Sequence, residues 1–541
     1  MKYQVNSISR EAHKTIYGLH LNVLRFLVII LLAIGVFCRF TNLEEKPYWG
    51  DESLTSQRIS GYTDRELQRI VLRGKEISVG DMYKYQRPTS EKGLIDVTKA
   101  LAGNAEHPPL YYLIARFWMQ LFGDYLTTPR GLSSLISLLV FPCIYLLCLE
   151  LFESPLVGWM AIALVSISPF QIIYAQEARQ YSLWIVSILL SSWALLRAMR
   201  INTKINWGVY TLTLALGLYT HLISVMVAIG HGIYVAANER FRFSKIIIAY
   251  LIASLTGFIL FVPWIIAIIY DSTTNTDQSP SWSKIPTPFT SLVQTWILNL
   301  SRVFFDFNAS FTYKNLLPYL FVIILVIYSI YFICRYAPKR VWLFITILMV
   351  MPVLLLAIPD LILGGRRSTP IRYFIPSSLS LQLAIAYLLS AKVTFLFVNR
   401  WQQKLWQIIT VAIISSGVLS CILFSQADTW WNKQREYYHS EVAKIVNQTE
   451  HALVIATWYD MRTLSHSLDS HVVLQDIRLR KEINSVGKGF SDVFVYEVKQ
   501  SLKYFLEHHS NYKIKEAYTW KRQTTPVNTT ETTLWQLNKT N

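Results

Sequence analysis

Eleven stretches of about twenty mostly apolar residues run through this chain, and a helix needs about that length to cross a hydrocarbon core of about 30 Å. They lie near 22–41, 131–152, 156–174, 182–199, 205–221, 223–238, 245–268, 316–334, 341–361, 373–391 and 405–424. In lipid each backbone N–H and C=O must find its partner inside the segment, so runs of this kind predict a polytopic α-helical membrane protein. Composition agrees: 52% of the 541 residues are hydrophobic and 16% are charged, against about 25% charged in ordinary soluble domains. The formal net charge of +17 would suggest nucleic acid in a soluble protein. Here no nucleic-acid partner is expected, and the basic residues report sidedness instead. Lys2, Arg10 and Lys14 precede the first run and Arg25 stands at its start, but no small-residue cleavage site follows it, so it reads as an uncleaved span.

Short connections carrying Arg197, Arg200 and Lys204, then Arg240, Arg242 and Lys245, then Arg335, Lys339 and Arg340, then Lys392, Arg400 and Lys404 alternate with the others as cytoplasmic loops should. The N-terminus is therefore expected in the cytoplasm of a cell (inner) membrane. Segments 42–130, 175–181, 269–315, 362–372 and the tail after 424 are expected outside. Within the first outer loop, HPPLYYLIARFWMQLF (107–122) is too short to span and carries Arg116 and Gln120, which predicts an amphipathic juxtamembrane helix. The expected domains are a transmembrane domain over 1–424 and a small extracytoplasmic α/β domain over 425–541. In the latter, HALVIATW, HVVLQDI, DVFVYEV and TLWQL read as strands, EVAKIVNQ and SLKYFLEHH as helices. The five cysteines lie within or at the ends of apolar runs, so neither a disulfide framework nor a cysteine zinc site is expected in the polar segments.

Chemistry-bearing residues gather in the predicted outer segments. WGDES places Asp51 and Glu52 about ten residues beyond the first span; adjacent carboxylates can divide labour between taking a proton and holding a substrate in line. Glu106 and His107 precede Pro108-Pro109, a proline pair suited to a helix start. YAQEARQYSLW (174–184) puts Glu177 and Arg179 in a tight turn between spans, where charges are costly unless they meet water or a polar cavity. GGRRSTPIRYFIP (364–376) carries Arg366, Arg367 and Arg372 against the positive-inside trend; arginine pairs bidentately with phosphate, so a lipid phosphate is a natural partner. His221, at the outer end of a span, is a further ligand or donor candidate.

The order of these features resembles the GT-C superfamily of membrane glycosyltransferases, in the bacterial branch related to protein O-mannosyltransferases and lipid A aminoarabinose transferases (the family 39 and 83 type). The matching features are a DE pair after the first span, the HPPLYYL helix start, the YAQEARQYSL turn and a late RY..P, over roughly residues 20–390. The resemblance implies a transferase that moves a sugar from a polyprenyl-phosphate-linked donor to an acceptor hydroxyl on the extracytoplasmic face, with inversion. It implies Asp51 as base and Glu52 as its companion. Glu106, His107, Glu177, Arg179, His221, Arg366 and Arg367 would bind substrate, and Arg372 and Tyr373 would lie near the donor phosphate. The chain departs from the family in having His107 where the aminoarabinose transferases have Lys, and Glu177 where the mannosyltransferases have Asp. No cofactor is required for this chemistry, since arginines can replace a divalent cation at a monophosphate. A divalent metal held by Glu106 and His221 remains open. Acceptors could be glycolipid, polysaccharide or protein. The competing expectation, a flippase or transporter of lipid-linked sugars, would place polar residues along several spans, whereas here the charges cluster at one side.

Overall fold

The computed structural model describes residues 22, 24–71, 75–274, 281–309, 316–394, 400–433, 435–476, 489–497, 504, 508, 512–525 and 528–539. Among them, seven helices have the length and apolarity to cross a membrane: Thr127–Phe152, Tyr181–Ile201, Lys245–Thr273, Leu316–Tyr336, Lys339–Leu363, Ile371–Val393 and Trp401–Ser425. A bent pair, Pro155–Ser166 and Pro169–Gln176, adds an eighth if its 61° break is taken within one span. The remaining runs are helical but shorter, with 17 residues in Lys204–Thr220 and 15 in Ser224–Asn238. Residues 24–40 are also helical. All eleven apolar runs thus form helices, and seven or eight meet the measure of a full crossing.

The chain groups into two compact units. One holds Ser133–Ile266 and Asn275–Ser425 with the helix that ends near Thr41; the other holds Asn42–Leu132, Ala267–Thr274 and Gln426–Asn541.

In the first unit burial ranks the helices. The apolar windows of Tyr181–Ile201 and Ile371–Val393 are 78% and 83% buried, whereas that of Lys245–Thr273 is 22% buried. The last exposes Ile248, Leu251, Ile252, Leu255 and Ile259, an apolar surface suited to lipid. The 61° break has a local cause. Pro169 has no N–H to continue a helix from the Ser166 turn, so carbonyls near the break lose their intrahelical partners. Arg39, 1% exposed, takes two of them, donating from Nη1 to Ser166 O and from Nη2 to Val165 O, while Cys421 Sγ donates to Ile167 O. The next segment is tied down the same way: Gln176 Nε2 donates to Cys38 O and Thr41 O, and Ser134 Oγ lies 3.0 Å from Ala175 O.

The second unit is built on a six-stranded sheet ordered β1-β3-β2-β4-β6-β5. Its strands are β1 (Ile77–Ser78), β2 (Ala452–Ile455), β3 (Val473–Gln475), β4 (Asp492–Tyr496), β5 (Tyr512–Thr525) and β6 (Asn528–Lys539). β2 is parallel to β3 and β4, and the other pairings are antiparallel. Both faces of β2 are covered, since Leu453 and Ile455 pack with Val493, Val495 and Trp535 while Ala452 and Val454 pack with Val442, Met461 and Leu464. That double burial explains an uninterrupted apolar strand. β1 comes from the first loop, and the same core includes Tyr62, Leu67, Val79 and Met82 from that loop. Strands β2, β3, β4 and β6 fall on the four predicted runs. The helix predicted over EVAKIVNQ lies within His439–Val446 and its continuation. Of SLKYFLEHH only Tyr504 and His508 are described, both helical, and the rest lies outside the described residues. β5 was not foreseen. It is an edge strand rich in Lys and Thr, paired among the described residues only to β6 and interrupted near Ile514/Glu516 and Gln523/Thr525, so its apolar alternation is weak.

Candidate active site

In the second unit the Gly50–Ser60 helix carries the acidic pair in its first turn, where amide dipoles favour negative charge. Glu52 closes the helix start by accepting from Trp49 N at 3.4 Å. Its carboxylate is fully buried and forked by Arg130, with Nε to Oε1 at 2.9 Å and Nη2 to Oε2 at 2.7 Å. Arg130 also donates to Leu43 O, Lys46 O and Pro47 O. Glu52 is therefore held by a neighbour, whereas Asp51 beside it stays partly exposed.

Residues from the far end of the chain complete this helix. Gly50 N donates to Glu436 Oε1 at 3.2 Å, and Tyr459 Oη donates to the same oxygen at 2.7 Å. Arg462 donates from Nε to Ser53 Oγ and from Nη1 to Gln57 Oε1, both at 3.0 Å. Burial pushes the Glu436 carboxyl up. It pushes the Tyr459 hydroxyl up as well, with Glu436 and Asp51 adding to the rise. The buried Arg462 guanidinium is lowered, first by desolvation and also by Arg58, while Asp51 and Asp64 draw it back up. Lys46 is lowered to about 8 by burial and by Arg130.

Arg58, 3% exposed, sits seven residues beyond Asp51 on the same helix, a spacing that brings two side chains to one face. Among the described residues neither its Nη1 nor its Nη2 has a hydrogen-bond partner; its guanidinium lies 5.8 Å from the Tyr112 ring. Tyr112 is in the 13-residue Leu110–Phe122 helix, about 20 Å long and too short to cross a bilayer. Tyr112 in turn lies 6.3 Å from His107, whose Nε2 is 3.4 Å from Glu106 Oε1. The unit thus links Asp51, Arg58, Tyr112, His107 and Glu106 through one helix face and successive ring contacts.

In the first unit, Glu177 and Arg179 are buried at the end of the bent pair, and Arg179 N donates to Glu177 O at 2.7 Å. His221 stacks on Trp184 with centroids 4.1 Å apart and lies 6.3 Å from both Tyr181 and Tyr373. Its Nδ1 accepts from Ile223 N. Arg372 lies 5.1 Å from the Tyr373 ring. The structure therefore gathers Tyr373 and Arg372 with His221. Arg366 and Arg367 serve the loop itself. Arg366 Nε donates to Trp282 O, and Arg367 pairs with the buried Asp360, whose other oxygen accepts from Ser368 N and Oγ. Among the described residues no group of three or more His, Cys, Asp or Glu side chains is arranged to hold a metal ion.

Sequence reasoning missed Arg130, Glu436, Tyr459, Arg462 and Arg58. Arg58 could have been found by the helical spacing from Asp51. The others lie 78 or more residues away in sequence, and no local pattern marks them.

Residues 106–266 match a family model described as dolichyl-phosphate-mannose-protein mannosyltransferase. A search of curated proteins by sequence found no match. Two crystal structures of ArnT from Cupriavidus metallidurans are similar in fold. The apo state superposes with a TM-score of 0.52 at 11% identity, covering 94% of this chain and 97% of that one. The state bound to undecaprenyl phosphate gives 0.50 at 11% identity, covering 94% and 98%. The chain is a multi-pass helical membrane protein that shares the fold of ArnT over nearly its full length, and its family match lies within residues 106–266.

Proposed function

We propose that this protein transfers a sugar from a polyprenyl-phosphate-linked donor to an acceptor hydroxyl on the extracytoplasmic face of the cell (inner) membrane, with inversion at the anomeric carbon. One observation carries the reading: Asp51 is a partly exposed carboxylate on a helix whose start is clamped by the Glu52–Arg130 pair, with the Arg58 guanidinium on the same face. The acceptor hydroxyl gives its proton to Asp51 as its oxygen bonds to the anomeric carbon. The bond from that carbon to the phosphate oxygen breaks, and the electron pair leaves with the polyprenyl phosphate. A phosphate leaving group is already a good anion, so stabilising its charge matters more than protonating it. Arg58 suits that task, since a buried guanidinium without hydrogen bonds is costly until an anion meets it. Glu52 is the positioning residue for Asp51.

Glu106 and His107 are proposed to contact substrate beside this helix. In the membrane unit Arg372 and Tyr373, with Glu177, Arg179 and His221, are proposed contacts for the donor lipid; Arg366 and Arg367 support the loop that carries Arg372. No metal is required. The family description over 106–266 and the undecaprenyl phosphate bound by ArnT favour a polyprenyl carrier. The alternation of basic loops favours a cytoplasmic N-terminus and an external second unit. Protein, glycolipid and polysaccharide are the acceptor classes.

The test incubates purified wild type and Asp51→Asn in nanodiscs with a panel of radiolabelled polyprenyl-phosphate sugars and a membrane extract as acceptor. Wild type is expected to release polyprenyl phosphate from one donor, and Asp51→Asn to lose about 10²–10⁴-fold in rate while melting at the wild-type temperature. Equal turnover in the two proteins removes Asp51 from the mechanism. A donor that binds and crosses liposomes without being consumed replaces the transferase with a transporter.

A further inference from the structure

A cavity of about 200 Å³ opens in the membrane unit where the Val140–Phe152, Tyr181–Ile201, Ser224–Asn238, Lys245–Thr274 and Lys339–Leu363 helices present residues to one another. Glu150, Arg200, Tyr234, Asn238 and Arg340 supply its polar wall, and Leu196, Met199 and Ile246 its apolar wall. None of these residues belongs to the proposed transfer chemistry.

Three features say what would fill it. The first is charge. The helix ends that meet here, at 150–153, 197–204, 239–245 and 335–340, carry nine Lys and Arg against three Glu. Lys339 Nζ to Ala237 O at 3.3 Å, and the Arg200–Glu150 and Arg340–Glu153 pairs, tie these ends together. The second is unmet hydrogen bonding. Tyr234 is 3% exposed as a residue, and its hydroxyl, on the cavity wall, has no hydrogen-bond partner among the described residues; Asn238 beside it is exposed. A hydroxyl on an otherwise buried side chain that meets no protein partner points to a ligand or solvent in the cavity. The third is the state of the arginines. Arg340 is 40% exposed and its partner Glu153 68%, so their pair is weak and the guanidinium can be recruited. Arg200 already forks Glu150, whose side chain is 8% exposed, and keeps one nitrogen outside that pair.

We propose that this cavity binds the phosphate-bearing headgroup of an anionic phospholipid. Arg340 and Arg200 meet the phosphate oxygens, Tyr234 and Asn238 donate to it, and Leu196, Met199 and Ile246 contact the start of the acyl chains. Glu150 holds Arg200 in place and disfavours a ligand carrying more than one phosphate on its side of the cavity.

The full chain in detergent is titrated with phosphatidylglycerol, phosphatidylcholine and inorganic phosphate, with bound species read by native mass spectrometry. Phosphatidylglycerol is expected to be retained about tenfold better than phosphatidylcholine, and Arg340→Gln to weaken it by about tenfold through the loss of a charge-assisted contact. Tyr234→Phe keeps the packing and removes only the hydroxyl, and is expected to weaken retention by about fivefold. Arg242→Gln removes an exposed charge at the same end but not from the cavity wall, and is expected to leave retention within about twofold. The proposal fails if phosphatidylcholine is held as well as phosphatidylglycerol, or if Arg340→Gln has no effect. It fails equally if Arg242→Gln matches Arg340→Gln, which would reduce the preference to diffuse charge. Displacement of the lipid by inorganic phosphate at equal concentration would make this a phosphate site and overturn the lipid assignment.

Discussion

Arg130 uses all five of its N–H donors, two on Glu52 and three on the carbonyls of Leu43, Lys46 and Pro47. Nothing of that guanidinium is left for a substrate. Its effect on Asp51 passes through the backbone, by fixing where the helix starts. Truncating one member of such a pair strands the other as a buried charge, which costs about 3–5 kcal/mol. Glu52→Ala is therefore expected to lower the melting temperature of the purified protein, and a wild-type melt would show that the pair does not hold the helix. Arg58 makes the opposite prediction. Its buried guanidinium has no hydrogen bond among the described residues, so Arg58→Met should raise the melting temperature without donor. The same change should weaken binding of the donor lipid by about tenfold or more. A variant that is destabilised, with unchanged donor affinity, would assign Arg58 to the core.

At the scale of elements, the site helix begins against Tyr459 with no space to spare. A Cβ on Gly50 would lie 1.8 Å from Tyr459 Oη and 2.6 Å from its Cζ, so a side chain there must displace the ring or the helix. Gly50→Ala is expected to cut transfer at least about tenfold in a protein that still inserts and purifies. Adding Tyr459→Ala should restore part of it; a double variant no better than Gly50→Ala would place the damage elsewhere. How far such elements could be read from sequence follows from what fixes each of them. The apolar runs were legible as helices because a bilayer imposes one length and one polarity on any helix that crosses it, though among the described residues seven or eight of the eleven have the full length. The DE pair was legible because its members are neighbours in the chain. The break at Pro169 had a visible proline, but Arg39 as the residue that takes the freed carbonyls did not, since 127 residues separate it from Ser166. β5 escaped because an edge strand needs little apolar alternation. Glu436, Tyr459 and Arg462 escaped because tertiary packing alone brings them to the helix.

At the scale of the molecule, two histidines in the second unit, the buried His439 and the half-buried His466, couple its stability to acid. Burial lowers His439 to about 3, and Arg435 adds to that effect. Burial likewise lowers His466 to about 3, with Arg130, Arg87 and Arg462 contributing. Unfolded imidazoles take a proton near 6.5. Between those limits the unfolded chain binds more protons than the folded one, so stability is lost as pH falls from about 6.5 toward 3. Each histidine contributes a slope of about 1.4 kcal/mol per pH unit well inside that window. Glu436 and Asp460, raised by burial, oppose the trend because they prefer to be protonated in the fold. His439 lies edge-on to Tyr496, and among the described residues its ring nitrogens have no hydrogen-bond partner. His439→Phe should therefore keep the packing and flatten the acid loss by about one histidine's share, read from melting temperatures between about pH 6 and 4. An unchanged slope would exclude His439 as a source.

The bond from Gly50 to Glu436 spans 386 residues of chain. At about 5–20 residues per second, a ribosome makes the acidic pair about 20–80 s before the residues that brace its helix. Through that interval the nascent chain carries the carboxylate proposed as its base on an unbraced helix, beside lipid-linked sugars it is proposed to consume. The proposed activity is then expected only once the last span is inserted and its tail has folded, which would leave a truncated or stalled product silent rather than indiscriminate.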